Sequence, residues 1–185
     1  MKKIAVLFSG QGSNFARIAN TMHNQELEVV VALTNNPEAG GIRIAKEHHI
    51  PLEIVDPKAF GSREAFDEAV VERLKRYSPD LTVLAGFMRI LTPVFTDQVK
   101  SINLHPSLLP RHKGLKAIER SYEDAYPAGG VSVHWVTSEL DGGEIILQKE
   151  VEKAGRCFEK YYAEVRAIEK VALEEAIRKV LSGSR

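Results

Sequence analysis

An asparagine and a histidine stand two residues apart in the segment 102–106, Ile-Asn-Leu-His-Pro. In an extended segment, side chains two apart point to the same side, so Asn103 and His105 share a face. Ile102 and Leu104 then point into the core, and Pro106 disfavours helical backbone at the preceding histidine. An amide beside an imidazole can stabilise a developing oxyanion and transfer a proton. A solvated loop histidine beside an asparagine turn is the open alternative.

An aspartate heads the turn Asp141-Gly142-Gly143 at the start of a later strand. A carboxylate there can orient an imidazole and favour its charged form. An Asp-Gly pair is also ordinary turn chemistry, and the sequence alone does not place Asp141 near His105. The other five histidines are weaker candidates without metal-ligand spacing, namely His23, His48, His49, His112 and His134.

A glycine-rich turn, residues 9–14, follows the first apolar run of the chain. Glycines let backbone amides approach a ligand, and the amino end of a following helix adds partial positive charge. The Ser13 and Asn14 side chains add hydrogen-bonding groups, so the turn suits a phosphate monoester. A purely structural turn is equally compatible. A dinucleotide site is disfavoured, because Phe15 replaces the third glycine and no acidic residue ends the second strand.

The segment 86–91, Gly-Phe-Met-Arg-Ile-Leu, is unusually apolar for a connection after a strand. It could line a slot for a flat aromatic ligand, with backbone groups as polar partners. A loop tucked under the core is the alternative. Cys157 has no base beside it in the pattern, and no serine, threonine or cysteine nucleophile is indicated.

These residues sit among short apolar runs that alternate with amphipathic segments. The runs predict buried strands, and the amphipathic segments predict helices, the third of which begins at a Ser62 cap. This order predicts an α/β fold with a Rossmann-like, mostly parallel sheet between two helical layers. The predicted strands are 4–8, 29–33, 52–55, 81–85 and 100–104, and the predicted helices are 13–22, 41–49 and the segment after residue 62.

The second half of the sequence has a different hydrophobic pattern. Residues 131–136 and 144–151 alternate between apolar and polar, which predicts two antiparallel strands around the Gly-Gly turn. Apolar residues three or four apart over 157–181 predict one long closing helix. No linker divides the chain, so we expect a single domain over residues 1–185.

Composition limits the function classes. The 185 residues carry 25 basic and 25 acidic side chains, so no net basic field indicates nucleic acid or an acidic membrane surface. One cysteine excludes an internal disulfide. No run approaches a membrane span, so we expect a cytoplasmic protein that acts on small molecules.

The motifs together resemble the phosphoribosylglycinamide formyltransferases, a branch of the folate-dependent formyltransferase family. The resemblance covers residues 1 to about 150 closely and rests on motifs that occur in order: Ser9-Gly10-x-Gly12-Ser13-Asn14, Ala85 to Leu91, Asn103-x-His105-Pro106-Ser107-Leu108-Leu109-Pro110, Val133-His134 and Leu140-Asp141-Gly142-Gly143. It implies transfer of the formyl group of 10-formyltetrahydrofolate to the amine of glycinamide ribonucleotide in purine biosynthesis. It implies no metal, and a monomer or homodimer.

The resemblance also implies roles for the matching residues. Asn103, His105 and Asp141 form the catalytic trio. The substrate is held by Gly12, Ser13, Asn14 and Glu169. The folate is held by Arg63, Met88, Arg89, Ile90, Leu91, Asn103, Thr137, Ser138, Glu139 and Leu140.

Two segments depart from the family pattern. Residues 111–120 lack the usual aromatic-glycine loop, and the closing helix carries Arg166, Glu169 and Lys170 where the family tends to show glutamine or histidine and a Glu-His pair. The substrate contacts of that helix therefore stay open. Two further alternatives are a relative that formylates another amine, such as a nucleotide-sugar amine, and a folate- or nucleotide-binding module without activity. The intact trio argues against the module.

Overall fold

A computed structural model describes residues 1–183, which form two compact units. The first unit is Met1–Ile102, and the second begins at Asn103. The single domain over 1–185 stays a prediction, and its last two positions lie outside the described residues. Seven strands form a mixed sheet.

The first unit contains parallel strands, as predicted. They lie in the order Leu52–Ile54, Leu27–Thr34, Lys2–Phe8 and Leu81–Leu84, and the strand Lys2–Phe8 pairs with the neighbour on each side. Their side chains are largely buried, which explains the continuous apolar runs in the sequence. The carboxyl ends of parallel strands meet at one edge, and the turn 9–14 and the loop 86–91 begin there. The strands are β1 (Lys2–Phe8), β2 (Leu27–Thr34), β3 (Leu52–Ile54) and β4 (Leu81–Leu84).

The helices of the first unit follow the predicted order. They are α1 (Ser13–Thr21), α2 (Gly41–Glu47), α3 (Arg63–Lys75) and α4 (Pro93–Thr96), with a 3-10 turn at Pro57–Ala59. The Ser62 cap is confirmed, because its Oγ accepts a hydrogen bond from the Ala65 N–H at 3.1 Å. The 3-10 turn and α4 were not predicted, since elements this short carry no readable periodicity.

The second unit contains the predicted antiparallel pair and the closing helix. Strand β5 (Ser101–His105) crosses the boundary between the units. β6 (Ala128–Trp135) pairs antiparallel with β7 (Ile145–Glu152), and α6 (Phe158–Ser182) packs on both. The short α5 (Ala117–Glu123) begins within the segment 111–120 that departs from the family pattern, and it was not predicted. Within residues 1–183, no helix has both the length and the apolar character that crossing a membrane requires.

Candidate active site

The Asn-x-His segment lies at the end of β5, as predicted. Ile102 is fully buried, whereas Leu104 is only half-buried. His105 is 6% exposed, so it is not the solvated loop histidine that the alternative required. Its burial places an imidazole in a low-dielectric environment, where hydrogen bonds and nearby charges act strongly.

The His105 ring is held by a backbone carbonyl. Its Nε2 lies 2.8 Å from the carbonyl oxygen of His112. A carbonyl only accepts, so Nε2 carries a proton and donates it. In the neutral ring, Nδ1 therefore holds the lone pair, and this atom faces Asp141 Oδ2 at 3.5 Å. Nδ1 is thus the nitrogen that can take up a proton.

Asp141 lies beside His105, which the sequence alone did not establish. Its backbone is left-handed at φ 51°, and its Oδ2 accepts a hydrogen bond from the Gly114 N–H at 2.9 Å. Gly143 packs closely against the backbone of β6, because a Cβ there would lie 1.6 Å from the Trp135 carbonyl oxygen. Only glycine can lie so close to that carbonyl, so the turn requires Gly143. The same turn positions the carboxylate of Asp141.

His134 joins the cluster, and sequence analysis ranked it too low. Its Nδ1 donates to the Trp135 carbonyl oxygen at 2.9 Å, so Nε2 carries the lone pair of the neutral ring. That nitrogen accepts a hydrogen bond from Asn103 Nδ2 at 3.3 Å and lies 3.7 Å from Asp141 Oδ1. The available signal was the alternation of Ser132 and His134 with buried valines, which marks a polar strip on an otherwise buried strand.

Burial and charge act in opposite directions at this cluster. Burial lowers the pKa of His105 below its ordinary value, although the His112 carbonyl and the Asp141 charge favour the protonated ring. Burial alone would raise the pKa of Asp141, but the hydrogen bond from the Gly114 N–H favours the ionised carboxylate, and the pKa is lowered instead. The pair is therefore a neutral imidazole beside an ionised carboxylate at neutral pH.

The glycine-rich turn lies in the first unit and adopts a strained backbone that only glycine tolerates well. Gly12 has φ 75°, and a Cβ there would lie 3.0 Å from Gly41 Cα. The Gly41 N–H donates to the Gly10 carbonyl oxygen at 3.1 Å, which ties the turn to α2. Ser13 begins α1, and Asn14 is buried in its first turn. The turn therefore opens a helix, as the phosphate prediction required.

The loop 86–91 is anchored beside that turn, in the same unit. The Met88 N–H donates to Ser9 Oγ at 2.8 Å, and Arg89 lies over the Phe66 ring at 4.5 Å. Met88 is 65% exposed and Ile90 is also exposed, so two apolar side chains face outward from a fixed backbone. This exposure is unlike a loop tucked under the core. Leu91 is half-buried, and Arg63 is exposed at the start of α3.

The predicted folate loop of the second unit, residues 137–140, forms a compact turn between β6 and β7. The Glu139 N–H donates to Thr137 Oγ1 at 3.3 Å, and Ser138 is exposed. Leu140 is 55% exposed, and the nearby Leu115 is exposed as well. Apolar side chains are thus available next to Asp141, at the end of the turn.

Glu169 is only 2% exposed on α6. Its Oε1 pairs with Nη1 of Arg166, three residues before it on the helix, at 2.9 Å. The carboxylate is buried, whereas the side chain of Arg166 is 41% exposed. The substrate role of Glu169 stays a prediction. Among residues 1–183, no group of three or more metal-ligating side chains comes together.

Comparison with known proteins decides the family. A profile of the formyl transferases matches residues 2–177. The chain belongs to the formyl transferase family. A phosphoribosylglycinamide formyltransferase of Haemophilus influenzae is 41% identical over 155 residues, which cover 82% of this chain and 73% of that protein. The trifunctional purine biosynthetic protein adenosine-3 of Gallus gallus is 38% identical over 187 residues, 98% of this chain and 19% of that protein.

Solved structures of the family share the fold. The crystal structure of a phosphoribosylglycinamide formyltransferase from Campylobacter jejuni is 46% identical and superposes with a TM-score of 0.95 over 97% of each chain. The predicted fold class, a mostly parallel sheet with antiparallel carboxy-terminal strands and a long closing helix, is confirmed. The prediction of an enzyme acting on small molecules is also confirmed, and the inactive binding module is excluded.

Proposed function

We propose that this formyl transferase moves the formyl group of 10-formyltetrahydrofolate to the amine of glycinamide ribonucleotide, a step of purine biosynthesis. The observation that carries the proposal is the buried cluster around Asp141. There an oriented amide, Asn103, lies beside an imidazole, His105, whose one unprotonated nitrogen faces the carboxylate. The names of the similar proteins support the choice of amine and pathway.

The reaction forms one C–N bond and breaks another. The substrate amine attacks the formyl carbon, and the formyl oxygen becomes an oxyanion in the tetrahedral intermediate. The Asn103 amide uses one N–H on His134, which leaves its second N–H for the oxyanion. His105 Nδ1 takes the proton that the amine loses, and Asp141 stabilises the resulting imidazolium. The same proton then goes to the departing folate nitrogen, and the carbonyl re-forms.

The first unit supplies the phosphate site in this proposal. Gly12, Ser13 and Asn14 lie at the amino end of α1, where the helix dipole places partial positive charge. A phosphate monoester matches the partial positive charge and the donors there. Glu169 holds a substrate hydroxyl or amine, and its pairing with Arg166 orients the carboxylate.

Exposed apolar side chains are the proposed contacts of the folate. Met88 and Ile90 stand out from a loop whose backbone is tied to Ser9. Leu140 stands out from the turn that carries Asp141. A flat pteridine needs apolar contact together with a few fixed polar groups, and these loops offer both. Arg63 adds a cation for the acidic tail of the folate. We further propose a cytoplasmic enzyme, monomeric or homodimeric, as the resemblance to the family implies.

One assay tests the function. Purified protein is mixed with glycinamide ribonucleotide and 10-formyltetrahydrofolate, and both tetrahydrofolate and the formylated amine are measured. Equal amounts of the two products are expected from the wild type, and His105→Ala serves as the control for background transfer. A nucleotide-sugar amine is offered in parallel. Faster turnover of that amine would reject glycinamide ribonucleotide as the substrate, and release of formate without a formylated amine would reject transfer.

A further inference from the structure

A set of partly buried polar and charged side chains lies next to the backbone carbonyl that holds His105, and one member, His112, belongs to the segment 111–120 that departs from the family pattern. His112 Nε2 lies 2.6 Å from Asp124 Oδ2, and Asp124 Oδ1 lies 2.7 Å from Lys153 Nζ. We call Lys153, Asp124 and His112 the anchor network. The Asp124 side chain is 14% exposed, and its two neighbours in the network are also mostly buried. The short contacts between these partly buried groups fix the side chains relative to one another.

The network is tied down at its far end. Lys153 follows β7 and also donates to the carbonyl oxygens of Ser121 at 2.8 Å and Asp124 at 3.0 Å. The Tyr126 N–H donates to Asp124 Oδ1 at 2.9 Å. Burial alone would raise the pKa of Asp124, but the hydrogen bonds from Lys153 and His112 lower it to about 2. The carboxylate is therefore ionised throughout the pH range in which the enzyme works.

At its other end, the anchor network fixes the backbone position of His112. His112 has φ 53°, in the left-handed region that non-glycine residues seldom occupy. Its carbonyl oxygen accepts the Nε2–H of His105 at 2.8 Å. The side chain of His112 is thus fixed by Asp124, and its backbone carbonyl fixes the ring of His105. Apart from His105, the residues that make these contacts lie outside the family motifs and the catalytic trio.

We propose that the anchor network positions His105 for proton transfer by holding the acceptor carbonyl against its Nε2–H. The network keeps Nδ1 as the proton-exchanging nitrogen and turns it toward Asp141. Without it, the loop carbonyl moves and the ring divides between its two neutral tautomers. The proposal rests on the catalytic role of His105 in the proposed function. The three members of the network are positioning residues, because they act through the His105 ring and not on the substrate.

The charged groups around His105 decide the direction of a pH test. Asp141 and the His112 carbonyl favour the protonated ring, whereas His134 and Arg120 oppose it. Weakening the carbonyl contact removes a raising influence, so the pKa of His105 falls further. The acid limb of kcat/KM, where the base becomes protonated, then moves to lower pH.

The test uses His112→Ala and Asp124→Asn in the full chain, with Glu123→Gln as the matched control. Glu123 is an exposed carboxylate next to Asp124, outside the network. We expect both network variants to lose about tenfold in kcat with both KM values unchanged, since one oriented hydrogen bond is lost. We also expect the acid limb to shift downward. His112→Gln, which keeps a donor for Asp124, should restore much of the loss, and Glu123→Gln should match the wild type.

A spectroscopic readout separates this proposal from the proposed function. Nitrogen-15 shifts of the His105 ring in the unliganded protein report which nitrogen carries the proton. We expect the Nε2–H tautomer in the wild type and a mixture in His112→Ala. This variant keeps the ion pair between Asp124 and Lys153, so it provides the test if Asp124→Asn does not fold. An unchanged tautomer together with an unchanged acid limb in His112→Ala would overturn the proposal. Full activity of His105→Ala would instead overturn the catalytic role, whatever the spectra show.

Discussion

Replacing His134 with leucine tests whether the Asn103 amide is oriented by its neighbour. His134 Nε2 accepts one N–H of Asn103 at 3.3 Å, and His134 Nδ1 is fixed by the Trp135 carbonyl. Leucine fills a similar apolar volume and offers no acceptor. The amide then loses its fixed rotation, and its second N–H no longer points steadily at the oxyanion.

The magnitude follows from the geometry. At 3.3 Å, between neutral groups, the hydrogen bond is at the weak end and contributes about 1 kcal/mol, which corresponds to roughly fivefold in rate. Removing the oxyanion donor itself, in Asn103→Ala, should cost about 10²–10³ in kcat. The loss in His134→Leu should fall on kcat and not on KM, because the oxyanion exists only in the transition state and intermediate.

A double-mutant cycle measures the connection. Initial rates with saturating substrates are compared for wild type, both single variants and the double variant. If His134 acts through Asn103, then His134→Leu should have no further effect once Asn103 is alanine. A full fivefold loss on the alanine background would refute the orienting role and would point to the 3.7 Å contact between His134 and Asp141.

Other predictions address the remaining parts of the site. His105→Ala and Asp141→Asn should have strongly non-additive effects on kcat, because both residues act on the same proton transfer. A double variant whose loss in kcat equals the product of the two single losses would show that the residues act independently. Removing the 5′-phosphate of the substrate should raise its KM more than tenfold if the turn at Ser13 binds that group, and equal kinetics would contradict the assignment. Glu169→Ala should raise KM for glycinamide ribonucleotide and leave KM for the folate near wild type, with Glu169→Gln and thermal unfolding as controls for the loss of a buried charge. Asp124 has a folded pKa of about 2 against an ordinary 3.8, so its ionisation should contribute about 2 kcal/mol of stability above pH 3.8, lost as the pH falls toward 2. Urea unfolding of the wild type and of Asp124→Asn across that pH range measures this loss of stability. A difference between the two free energies of unfolding that stays constant with pH would contradict the prediction.

The sequence predicted most of the fold because buried parallel strands leave a strong signal. The run 4–8 is fully buried in β1, and each predicted strand occurs within a few residues of its expected bounds. The long closing helix was predicted equally well, since the spacing of its apolar residues repeats over many turns. The short α4 and α5 were missed. Elements of four and seven residues are set by tertiary packing and by proline or left-handed residues at their starts, not by periodicity.

The candidate site was predicted less completely, for a physical reason. Sequence spacing could place Asn103 and His105 on one face, because a strand has period two. It could not place Asp141 or His134 beside them, since those contacts join residues about thirty positions apart through the pairing of strands. His112 was harder still. Its contribution is a backbone carbonyl, and no side-chain pattern in the sequence marks a carbonyl as a hydrogen-bond acceptor for the base.

The long distances around Asp141 explain how a buried imidazole can serve as a base and then release its proton. His105 Nδ1 and His134 Nε2 lie 3.5 and 3.7 Å from the two carboxylate oxygens, farther than the ~2.8 Å of a charge-assisted hydrogen bond. Two acceptors face each other at such distances, because carbonyls hold the ring protons on the opposite nitrogens. A proton that reaches His105 Nδ1 turns this repulsion into an ion pair, so Asp141 favours its uptake. Burial opposes the resulting charge and lowers the pKa of the ring. Since the two effects oppose each other, the base takes the proton of the attacking amine without holding it too tightly to pass it to the departing nitrogen.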